Sequence, residues 1–441
     1  MLKKSKLLFA VLLALALITA SCGGGTEAPA PATEEPSAPE PAAPEPTEAP
    51  AMTEEPAAEP QVVGTIKIGA ALSEPGNYAT IGLDVRQGYL LWADYVNDEL
   101  GGINVGGDLY NVELILYDDE SDADTANRLI EQLISEDEVN FILGPYGSGL
   151  TMATSTITEQ YGVLMIEANG SAETIFDRGY NYVFGVLSPA SYYSKAAVEA
   201  LNSVGAETLA VAFEDNAFSI AIKDGILKWA DEYGMEVVAL EQYPNGNTDS
   251  ALFDPIMTKF KAANPDAYIN SGHLNDGIAA RTSAQSLGFC PGAMFFMASA
   301  NVPAFVNELG DKAEYAGGST QWQETMTYQG MYIGTPQEYY DRYVGRYGMD
   351  PSYQSAESTA AGFALQYAIE QAGTLETEAV RQELLDMDIM TFYGAINFDE
   401  TGKNVAHAMA AGQILDGKFQ VIWPAEVAVA DFVYPDPSCS Q

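Results

Sequence analysis

The sequence predicts an α/β protein of two lobes, in which each lobe is a mostly parallel sheet flanked by helices. Short apolar runs alternate with amphipathic stretches from Val62 onward, and strands that alternate with helices form parallel sheets through right-handed crossovers. About 380 of the 441 residues lie beyond the N-terminal leader and linker, which is more than one hydrophobic core usually holds and enough for two lobes.

The first strand is predicted at Thr65–Leu72, a short and mostly apolar run. The first helix is predicted at Gly82–Leu100, where large apolar residues recur at helical spacing. The elements that follow are, in order, strand Tyr110–Tyr117, helix Asp124–Ser135, strand Val139–Leu143, helix Met152–Tyr161, strand Val163–Ile166, helix Tyr192–Val204, strand Thr208–Phe213, helix Phe218–Tyr233, strand Glu236–Tyr243, helix Phe253–Ala263, strand Ala267–Ser271, helix Asp276–Leu287 and strand Ala293–Met297.

Five of the predicted strands end in loops of small or polar residues. These loops are Leu72–Tyr78, Gly144–Gly149, Glu167–Ser171, Phe213–Asn216 and Asn270–Asn275. In parallel sheets, ligands bind beyond the carboxyl ends of the strands. Because the loops supply hydroxyls, amides and helix N-terminal N–H groups, we expect them to converge on one cleft that suits a ligand carboxylate.

The N-terminus resembles the signal peptide of a bacterial lipoprotein. Lysines precede the apolar run Leu7–Ile18, which is too short to span a bilayer because a spanning helix needs about 20 apolar residues. The run ends at Thr19-Ala20-Ser21-Cys22, so residues 1–21 are expected to be removed and Cys22 to be lipidated. Lipoprotein signals prefer Leu, Val or Ile at the position of Thr19, so this sequence departs from the pattern there. The alternative to a lipoprotein signal is a plain secretory signal that is cleaved near Ala20. The expected location is extracytoplasmic, at the cell membrane, in a periplasm or on the cell surface.

Residues 22–61 form the predicted linker, and they are mostly Ala, Pro, Glu and Thr. Such a segment buries too little apolar surface to offset the entropy of ordering. Proline and repelling carboxylates also keep a chain extended. We therefore expect a disordered tether between the membrane and the folded part.

The charge balance excludes two classes of partner. The chain has 62 acidic and 19 basic residues, a formal net charge of -43 and an isoelectric point near 4.1. Nucleic acids and anionic lipid surfaces are bound through clustered Lys and Arg. We therefore expect no nucleic acid partner, and contact with the membrane through the lipid anchor alone.

Cysteine and histidine are too few for the common kinds of metal centre. Beyond Cys22 the chain has only Cys290 and Cys439, which could pair in an oxidising compartment and tie the C-terminal tail to the body, or stay free. No two cysteines have the spacing of a zinc site, and His273 and His407 are the only histidines. No metal or other cofactor is predicted.

Seven short motifs occur in the order found in one known family. They are Ile68–Ser73, Gly101–Asn104, Tyr117–Asp122, Asn127–Leu129, Gly144–Ser148, Arg178–Phe184 and Gly394–Gly402. Through them the chain, from Thr65 to beyond Val421, resembles the extracytoplasmic solute-binding proteins of branched-chain amino acid and amide ABC importers, the Leu/Ile/Val-binding type. The resemblance implies a small-molecule solute, permease and ATPase subunits encoded elsewhere, and no enzymatic activity.

The resemblance also implies the periplasmic-binding-protein type 1 fold, with three hinge crossings between the lobes. The crossings are expected near Gly185–Ser188, Ser319–Trp322 and Phe392–Gly394. Lobe 1 would comprise residues 62–186 and 322–393, lobe 2 residues 187–321 and 394–434, and the tail residues 435–441. Hinges of this kind let two lobes close on a ligand.

Family positions imply eight ligand-binding residues: Tyr78, Ser148, Asn169, Ser171, Tyr192, Phe218, His273 and Trp322. Ser148 would contact a ligand carboxylate, although a serine there could instead cap the helix that follows. Asn169 would offer a backbone carbonyl and Ser171 a hydroxyl. Tyr192 ends a stretch that looks like the amide and aromatic-acid branch of the family, and Trp322 is expected at the hinge or over the cleft.

Aromatic walls from both lobes are implied at Tyr78, Phe218 and His273, each of which could instead be a packed surface aromatic. The cysteine pair common in amino acid binders would fall near Ser121 and Gly147, so it is absent. The resemblance places no acidic partner for an ammonium group. Three acidic residues could serve instead, and they are Glu74, Glu167 and Asp215.

Two other functions remain as alternatives. A sensing lipoprotein of the same fold would present its closed form to a membrane receptor. A serine hydrolase would use Ser148, but its elbow motif needs glycine where Tyr146 stands, and neither histidine has the sequence context of its base. No phosphate loop of the G-x-x-x-x-G-K type is present, so nucleotide hydrolysis is not expected from this chain.

Overall fold

The computed structural model describes residues 61–246 and 249–440. The predicted signal peptide, the predicted lipidation site Cys22 and nearly all of the predicted tether lie outside these residues. Within the described residues, no helix is both long enough and apolar enough to cross a membrane.

The first half of the fold is built on a six-stranded sheet in the order β2-β3-β1-β4-β5-β6. Its strands are β1 (Val62–Leu72), β2 (Ile103–Val105), β3 (Asp108–Asp118), β4 (Phe141–Leu143), β5 (Met165–Glu167) and β6 (Val183–Gly185). Neighbouring strands are parallel except for β2 and β3. Its helices are α1 (Ala79–Asp94), α2 (Ala123–Ser135) and α3 (Ser148–Tyr161).

The second half is built on a seven-stranded sheet whose strand order is β15-β14-β11-β10-β9-β7-β8. In chain order, its elements are α4 (Lys195–Ser203), β7 (Thr208–Glu214), α5 (Ala217–Glu232), β8 (Glu236–Tyr243), α6 (Ser250–Ala263), β9 (Ala267–Ser271), α7 (Leu274–Ser286), β10 (Ala293–Phe296), α8 (Pro303–Leu309), β11 (Ala316–Thr320), β14 (Ala410–Leu415) and β15 (Lys418–Trp423). Strands β7 to β11 are parallel, and β14 is antiparallel to both its neighbours.

Between β11 and β14 the chain returns to the first half. It forms α9 (Pro336–Tyr347), α10 (Tyr353–Ala372), α11 (Thr377–Leu385) and a small antiparallel pair, β12 (Asp388–Met390) with β13 (Ala395–Asn397). The predicted α/β class, with mostly parallel sheets flanked by helices, is confirmed. The predicted helix Gly82–Leu100 is observed as α1 followed by a π-helical turn, Tyr95–Leu100. The predicted helix Tyr192–Val204 is shorter, because residues 190–192 form a separate 3-10 turn.

Three chain segments connect the two halves. The first follows β6 and the second follows β11, close to the predicted crossings. The third lies later than Phe392–Gly394: Lys403 pairs with Gly185 at the end of β6, and the Asn404 N–H donates to the Gly185 carbonyl at 3.2 Å. The chain therefore stays beside the first sheet through residue 404 and joins the second sheet only at β14.

The helix α10 is held against α1 by close backbone contact. A Cβ atom added at Gly362 would lie 2.2 Å from the Trp92 ring, and one added at Gly88 would lie 2.3 Å from the Ser355 carbonyl oxygen. The Thr359 hydroxyl donates to the Gly88 carbonyl at 2.8 Å. Glycine is needed at these two positions because any side chain would push the helices apart. The N-terminal turns of α10 are thereby fixed in place.

The two cysteines whose pairing the sequence left open form a disulfide. The Cα atoms of Cys290 and Cys439 are 5.4 Å apart, within the range that disulfide geometry allows. The Asp436 N–H also donates to the Gly292 carbonyl at 2.8 Å. The C-terminal tail is therefore fastened to the loop that precedes β10.

Candidate functional site

A small cavity lies where the carboxyl ends of the two sheets face each other. The first half supplies Tyr146, Gly147, Asn169, Tyr353 and Glu357 to its walls, and the second half supplies Tyr193, Phe218 and His273. The volume open to the centre of a water molecule is about 10 Å³, which is room for about one water. The halves therefore meet closely around this point, and we call this space the central cavity.

A second space adjoins the central cavity and shares His273 with it. It has about 20 Å³ open to a water centre and is lined by Asn77, Tyr78, Glu214, Gly246, His273, Asn275 and Asp276. The Asn275 amide donates across it to the Asn77 carbonyl at 3.3 Å. Tyr78 packs against both Tyr146 and His273, with ring centroids 5.4 and 5.5 Å away. This contact joins the two halves through aromatic rings.

The loop after β4 brings backbone to the central cavity. Gly147 has φ of 93°, a left-handed conformation that glycine adopts without strain. Its N–H donates to the Asn169 carbonyl at 3.2 Å. The next residue, Ser148, is buried and begins α3, and its hydroxyl oxygen accepts the Ala172 N–H at 3.1 Å. Ser148 therefore ties the loop after β5 to α3, and Gly147 rather than Ser148 lines the cavity.

A buried carboxylate braces the loop after β5 from behind. Glu167 accepts the N–H groups of Asn169 and Gly170 at 2.5 and 2.7 Å and the Thr151 hydroxyl at 2.9 Å. Burial raises the pKa of Glu167 to about 7, although these hydrogen bonds oppose the change. Glu167 does not line the central cavity, so its role is to set the backbone of the loop that carries Asn169.

The orientation of the Asn169 side chain follows from its partners. The Ser358 hydroxyl donates to the Gln354 carbonyl at 2.7 Å, so the Ser358 oxygen accepts from the Asn169 amide nitrogen at 2.9 Å. The nitrogen is thereby directed at α10. The opposite atom, Oδ1, is buried and has no hydrogen-bond partner among the described residues. A buried acceptor without a donor is costly, so this oxygen favours a ligand donor.

The second half contributes a charged pair at the ends of β7 and β9. His273 Nδ1 lies 2.6 Å from Glu214 Oε2, and the Glu214 side chain is only 3% exposed. Burial disfavours the imidazolium, but the charge and hydrogen bond of Glu214, together with the charge of Asp276, raise the pKa of His273 above its usual value. Burial likewise opposes ionisation of Glu214, but the charge of His273 and the hydrogen bonds from His273, Gly246 and Asn216 together hold the pKa of Glu214 below its usual value. Each partner therefore favours the ionised form of the other.

Asp276 lies beside this pair at the start of α7. Burial, and then the charge of Glu214, raise the pKa of Asp276 to about 7. Its carboxyl accepts the His273 N–H at 2.8 Å and bonds the Tyr243 hydroxyl. Ligand atoms of Glu214, His273 and Asp276 lie within 4.8 Å of one another, a spacing that a divalent cation could bridge. Each group is already engaged in internal hydrogen bonds, which account for the cluster without a cation.

Glu357 is the acidic residue of the central cavity. It lies on α10, is 1% exposed, and its Oε2 accepts from Gln321 Nε2 and the Tyr393 hydroxyl, both at 3.2 Å. No Lys, Arg or His within the described ranges forms an ion pair with it. Burial raises the pKa of Glu357 well above its usual range. An acidic side chain without a counter-charge thus faces the place where a ligand would lie.

The structure brings four of the eight predicted binding residues to the two adjoining spaces. Asn169, Phe218 and His273 line the central cavity, and Tyr78 lines the neighbouring one. Ser148 and Ser171 are buried beside the loop after β5, where the Ser171 carbonyl accepts the Ala190 N–H at 2.8 Å. Neither serine lines the central cavity.

The other two predicted residues lie elsewhere. Tyr192 is 42% exposed and packs against Trp229, while the next residue, Tyr193, points into the central cavity. Trp322 is buried and packs edge-on against Tyr339 of α9. Trp322 thus supports the second connection without lining the central cavity.

None of the three acidic candidates for an ammonium partner lines the central cavity. Glu74 forms a surface pair with Arg86, Glu167 lies behind the loop after β5, and Asp215 is one residue past Glu214. The cavity residues that the sequence did not single out are Tyr146, Tyr193, Tyr353 and Glu357. Tyr146 lies in the loop Gly144–Gly149, which was predicted to face the cleft, so its position in that loop could have identified it as a cavity residue. Tyr353 and Glu357 are four residues apart on a helix and follow no strand.

Two α/β halves whose strand ends meet around a polar and aromatic cavity define a two-lobed solute-binding protein. Residues 65–418 match the family model described as periplasmic binding protein, and the chain belongs to that family. The relatives found by sequence are of the Leu/Ile/Val-binding type, and the similar solved structures are substrate-binding proteins of ABC transporters, not enzymes.

Similar proteins cover almost the whole folded part. The Leu/Ile/Val-binding protein homolog 7 of Brucella suis biovar 1 is 23% identical over 390 residues, which is 84% of this chain and 94% of that protein. The branched-chain amino acid transporter substrate binding protein LivJ of Streptococcus pneumoniae, in complex with isoleucine, has a TM-score of 0.71 and 24% identity, covering 82% of this chain and all of that one. A solute binding protein of Rhodopseudomonas palustris, in complex with 3,4-dihydroxy benzoic acid, has a TM-score of 0.71 and 20% identity, covering 85% of this chain and 99% of that one.

Proposed function

We propose that this protein captures a small solute between two closing lobes and delivers it to an ABC importer, and that a lipid on Cys22 anchors it to the membrane. The solute is an amino acid, an amide or an aromatic carboxylate. The observation that carries the proposal is the central cavity, because its walls come from the strand ends of both halves. The central cavity as it stands has room for about one water, so its walls must lie further apart when they hold a solute. A solute between them contacts both lobes only when they close on it, and such contacts shift the population toward the closed form.

The known ligands of similar proteins support this range of solutes. The pneumococcal protein was crystallised with isoleucine and the Rhodopseudomonas protein with 3,4-dihydroxy benzoic acid. Aromatic rings such as Tyr146 and Phe218 suit either an aliphatic or an aromatic side chain. The start of α3, which no side chain caps, suits the carboxylate that both ligands share.

A binding screen tests the proposal. The mature chain with Cys22 replaced by serine would be screened by thermal unfolding against the twenty amino acids, their amides and a set of benzoic and phenylacetic acids. A solute that binds the folded state at 100 times its Kd raises the free energy of unfolding by about 2.7 kcal/mol, which is a readily measured shift. If no compound in the three classes stabilises the protein, solute capture is refuted.

The anchor is tested separately in cells that express the full chain. We expect the wild-type protein to partition with membranes and the Cys22→Ser variant to be released or to remain as an unprocessed precursor. Mass spectrometry of the mature N-terminus then distinguishes a lipidated Cys22 from cleavage near Ala20. An unmodified N-terminus at residue 21 would support the plain secretory signal instead.

A further inference from the structure

We infer that the side-chain amide of Gln321 couples the walls of the central cavity to the three connections between the halves, and that it thereby strengthens the capture of every solute alike. Gln321 follows β11 on the second connection and does not line the central cavity, so it acts through other residues. The inference rests on the proposed function, because it assigns a positioning residue for the proposed closure. It concerns how strongly the closed form is favoured, and not which solute is chosen.

The three connections are tied to one another at one buried point. Ser188 of the first connection donates its N–H to Gln321 Oε1 at 2.8 Å, and its hydroxyl donates to the carbonyl of His407, on the third connection, at 2.6 Å. His407 Nε2 lies 2.9 Å from the Gln321 carbonyl oxygen. This oxygen can only accept, so Nε2 carries the proton. All three residues are buried, and their hydrogen bonds close a triangle. We call Ser188, Gln321 and His407 the hinge knot.

The orientation of the Gln321 amide follows from its partner in the hinge knot. A backbone N–H can only donate, so the amide atom that meets Ser188 is the oxygen. The Tyr393 hydroxyl donates to the same oxygen at 2.9 Å, and the Tyr393 ring stacks on His407 with centroids 4.2 Å apart. The amide nitrogen therefore carries its two hydrogens away from Ser188, toward the central cavity walls.

This nitrogen contacts one cavity wall from each half. It donates to the Tyr193 hydroxyl of the second half and to Glu357 Oε2 of the first half, the latter at 3.2 Å. Tyr193 and Glu357 both line the central cavity. The Gln321 amide thus makes two hydrogen bonds through its oxygen and two through its nitrogen, and the nitrogen alone joins the two halves. The same residue belongs to the hinge knot, so the cavity walls and the connections share one side chain.

Opening of the lobes breaks part of this arrangement. Tyr193 moves with the second half and Glu357 with the first, so a rotation that separates the halves leaves the Gln321 nitrogen near at most one of them. The open form replaces the lost acceptor with water, and the net contribution of such a hydrogen bond is modest. It corresponds to a factor of about 2 to 10 in the equilibrium between closed and open forms.

The arrangement is expected to persist when a solute is bound. The displacement that a rotation produces grows with distance from its axis, and Gln321 lies on the connections about which the lobes turn. The small separation of the walls that admits a solute therefore moves its partners little, whereas full opening moves them apart. Because Gln321 does not line the central cavity, its contribution is the same for every solute. The apparent affinity follows the share of the protein in the competent form.

The first test replaces the amide with a side chain of similar length that makes no hydrogen bonds. We expect Gln321→Met to weaken the affinity for each solute found in the binding screen by one common factor of about 2 to 10. Isothermal titration of the mature chain with solutes of different chemistry measures this factor. Phe218→Ala removes a ring from the cavity wall, so it should change the same affinities by unequal factors.

A distance measurement reports closure without any solute. Thr80, at the start of α1, and Asn245, after β8, are exposed residues of different halves. Spin labels on Thr80→Cys and Asn245→Cys, in the mature chain used for the binding screen, give the distribution of separations between the lobes. We expect Gln321→Met to shift this distribution toward larger separations, and a saturating solute to return it to the short separation.

Gln366→Met is the matched control. Gln366 is a buried glutamine of α10 that accepts from Trp92 and donates to Glu370, so its partners all lie in the first half. We expect this variant to have a lower thermal midpoint, with the solute affinities and lobe separation of the wild type. The thermal midpoint of each variant reports whether it folds. If Gln321→Met does not fold, Gln321→Asn takes its place, because it keeps a polar side chain that is one methylene too short to join both walls.

Three results overturn the inference. One is that the folded Gln321 variant binds its solutes with wild-type affinity. Another is that its losses differ from solute to solute as much as those of Phe218→Ala. The third is that its lobe separations without solute are those of the wild type. If the screen finds no solute at all, the proposed function fails, and the distance measurement by itself then decides the inference.

Discussion

Replacing Glu214 with glutamine is expected to destabilise the protein by an amount that depends on pH. The variant removes the carboxylate whose Oε2 lies 2.6 Å from His273 Nδ1. In the wild type, Glu214 Oε1 accepts the Gly246 N–H at 2.7 Å, and the glutamine oxygen can still accept this N–H. Because the pKa of His273 is raised, its imidazolium is present in the wild type below that value. Removing one partner of a buried ion pair costs about 3–5 kcal/mol.

The sign of the pH effect follows from linkage. The unfolded pKa of histidine is about 6.5, so the contribution of the pair is fully present below that pH and is lost as the pH rises through the higher folded value. We therefore expect Glu214→Gln to cost about 3–5 kcal/mol near pH 6. At a pH above the folded value the wild-type imidazole is neutral, and only a hydrogen bond to a charged group, about 1.5–3 kcal/mol, is lost.

Urea unfolding at the two pH values measures these free energies. The control is Glu74→Gln, the same substitution at a half-exposed pair in which Glu74 Oε1 lies 2.7 Å from Arg86. An exposed pair contributes at most about 1 kcal/mol, so the control is expected to change little at either pH. If Glu214→Gln costs the same at both pH values, or no more than the control, the pair is not ionised and the reasoning is refuted.

Three further changes test the scaffold. Replacing Cys290 and Cys439 together with alanine, or reducing them, is expected to lower the free energy of unfolding by about 2–5 kcal/mol, and an unchanged thermal midpoint would mean that the bond contributes nothing. Gly362→Ala should lower the free energy of unfolding, measured in urea, by about 1–3 kcal/mol through overpacking. The control is Gly345→Ala, where an added Cβ meets nothing within 4 Å, and it should raise the free energy of unfolding by up to about 1 kcal/mol. Equal effects of the two substitutions would contradict the described contact between α1 and α10. Ser148→Ala should lower the free energy of unfolding, measured without solute, by about 1–3 kcal/mol because a buried N–H loses its acceptor. If the variant instead loses affinity for a solute without losing stability, Ser148 contacts the ligand directly.

The sequence predicts the fold well because the fold depends on patterns that are local. Between Thr65 and Met297, alternating apolar runs and amphipathic stretches predicted the strands and helices with differences mostly at element ends, except for the short strands β2 and β6. The elements after Met297 were not predicted. Connections between the halves are harder to place, because they carry no periodicity. The third connection is an example. It begins where the pairing of Lys403 with Gly185 ends. Because that pairing joins segments that are distant in sequence, no pattern within residues 392–410 indicates its end.

The candidate site was predictable where it is made of loops that follow strands. Asn169 and His273 lie in such loops, and both reach the central cavity. Tyr192 and Tyr193 show the limit of this method: adjacent residues on one turn point in different directions, and only the packing of Tyr192 on Trp229 decides between them. Glu357 could not be found in this way, because α10 reaches the site through its contact with α1.

Two buried polar groups at the central cavity bear on the selectivity of the proposed closure. Among the residues that the structure describes, the Asn169 side-chain oxygen has no hydrogen-bond donor and Glu357 has no counter-charge, and each deficit costs free energy in the closed form. The free energy difference between open and closed forms therefore changes most for the solute that supplies what these two residues lack, and a ligand can shift such an equilibrium only through its differential interactions with the two forms. Selectivity on this view lies in the groups that the closed protein leaves unsatisfied, as much as in the contacts that its aromatic walls offer to every solute of the right size.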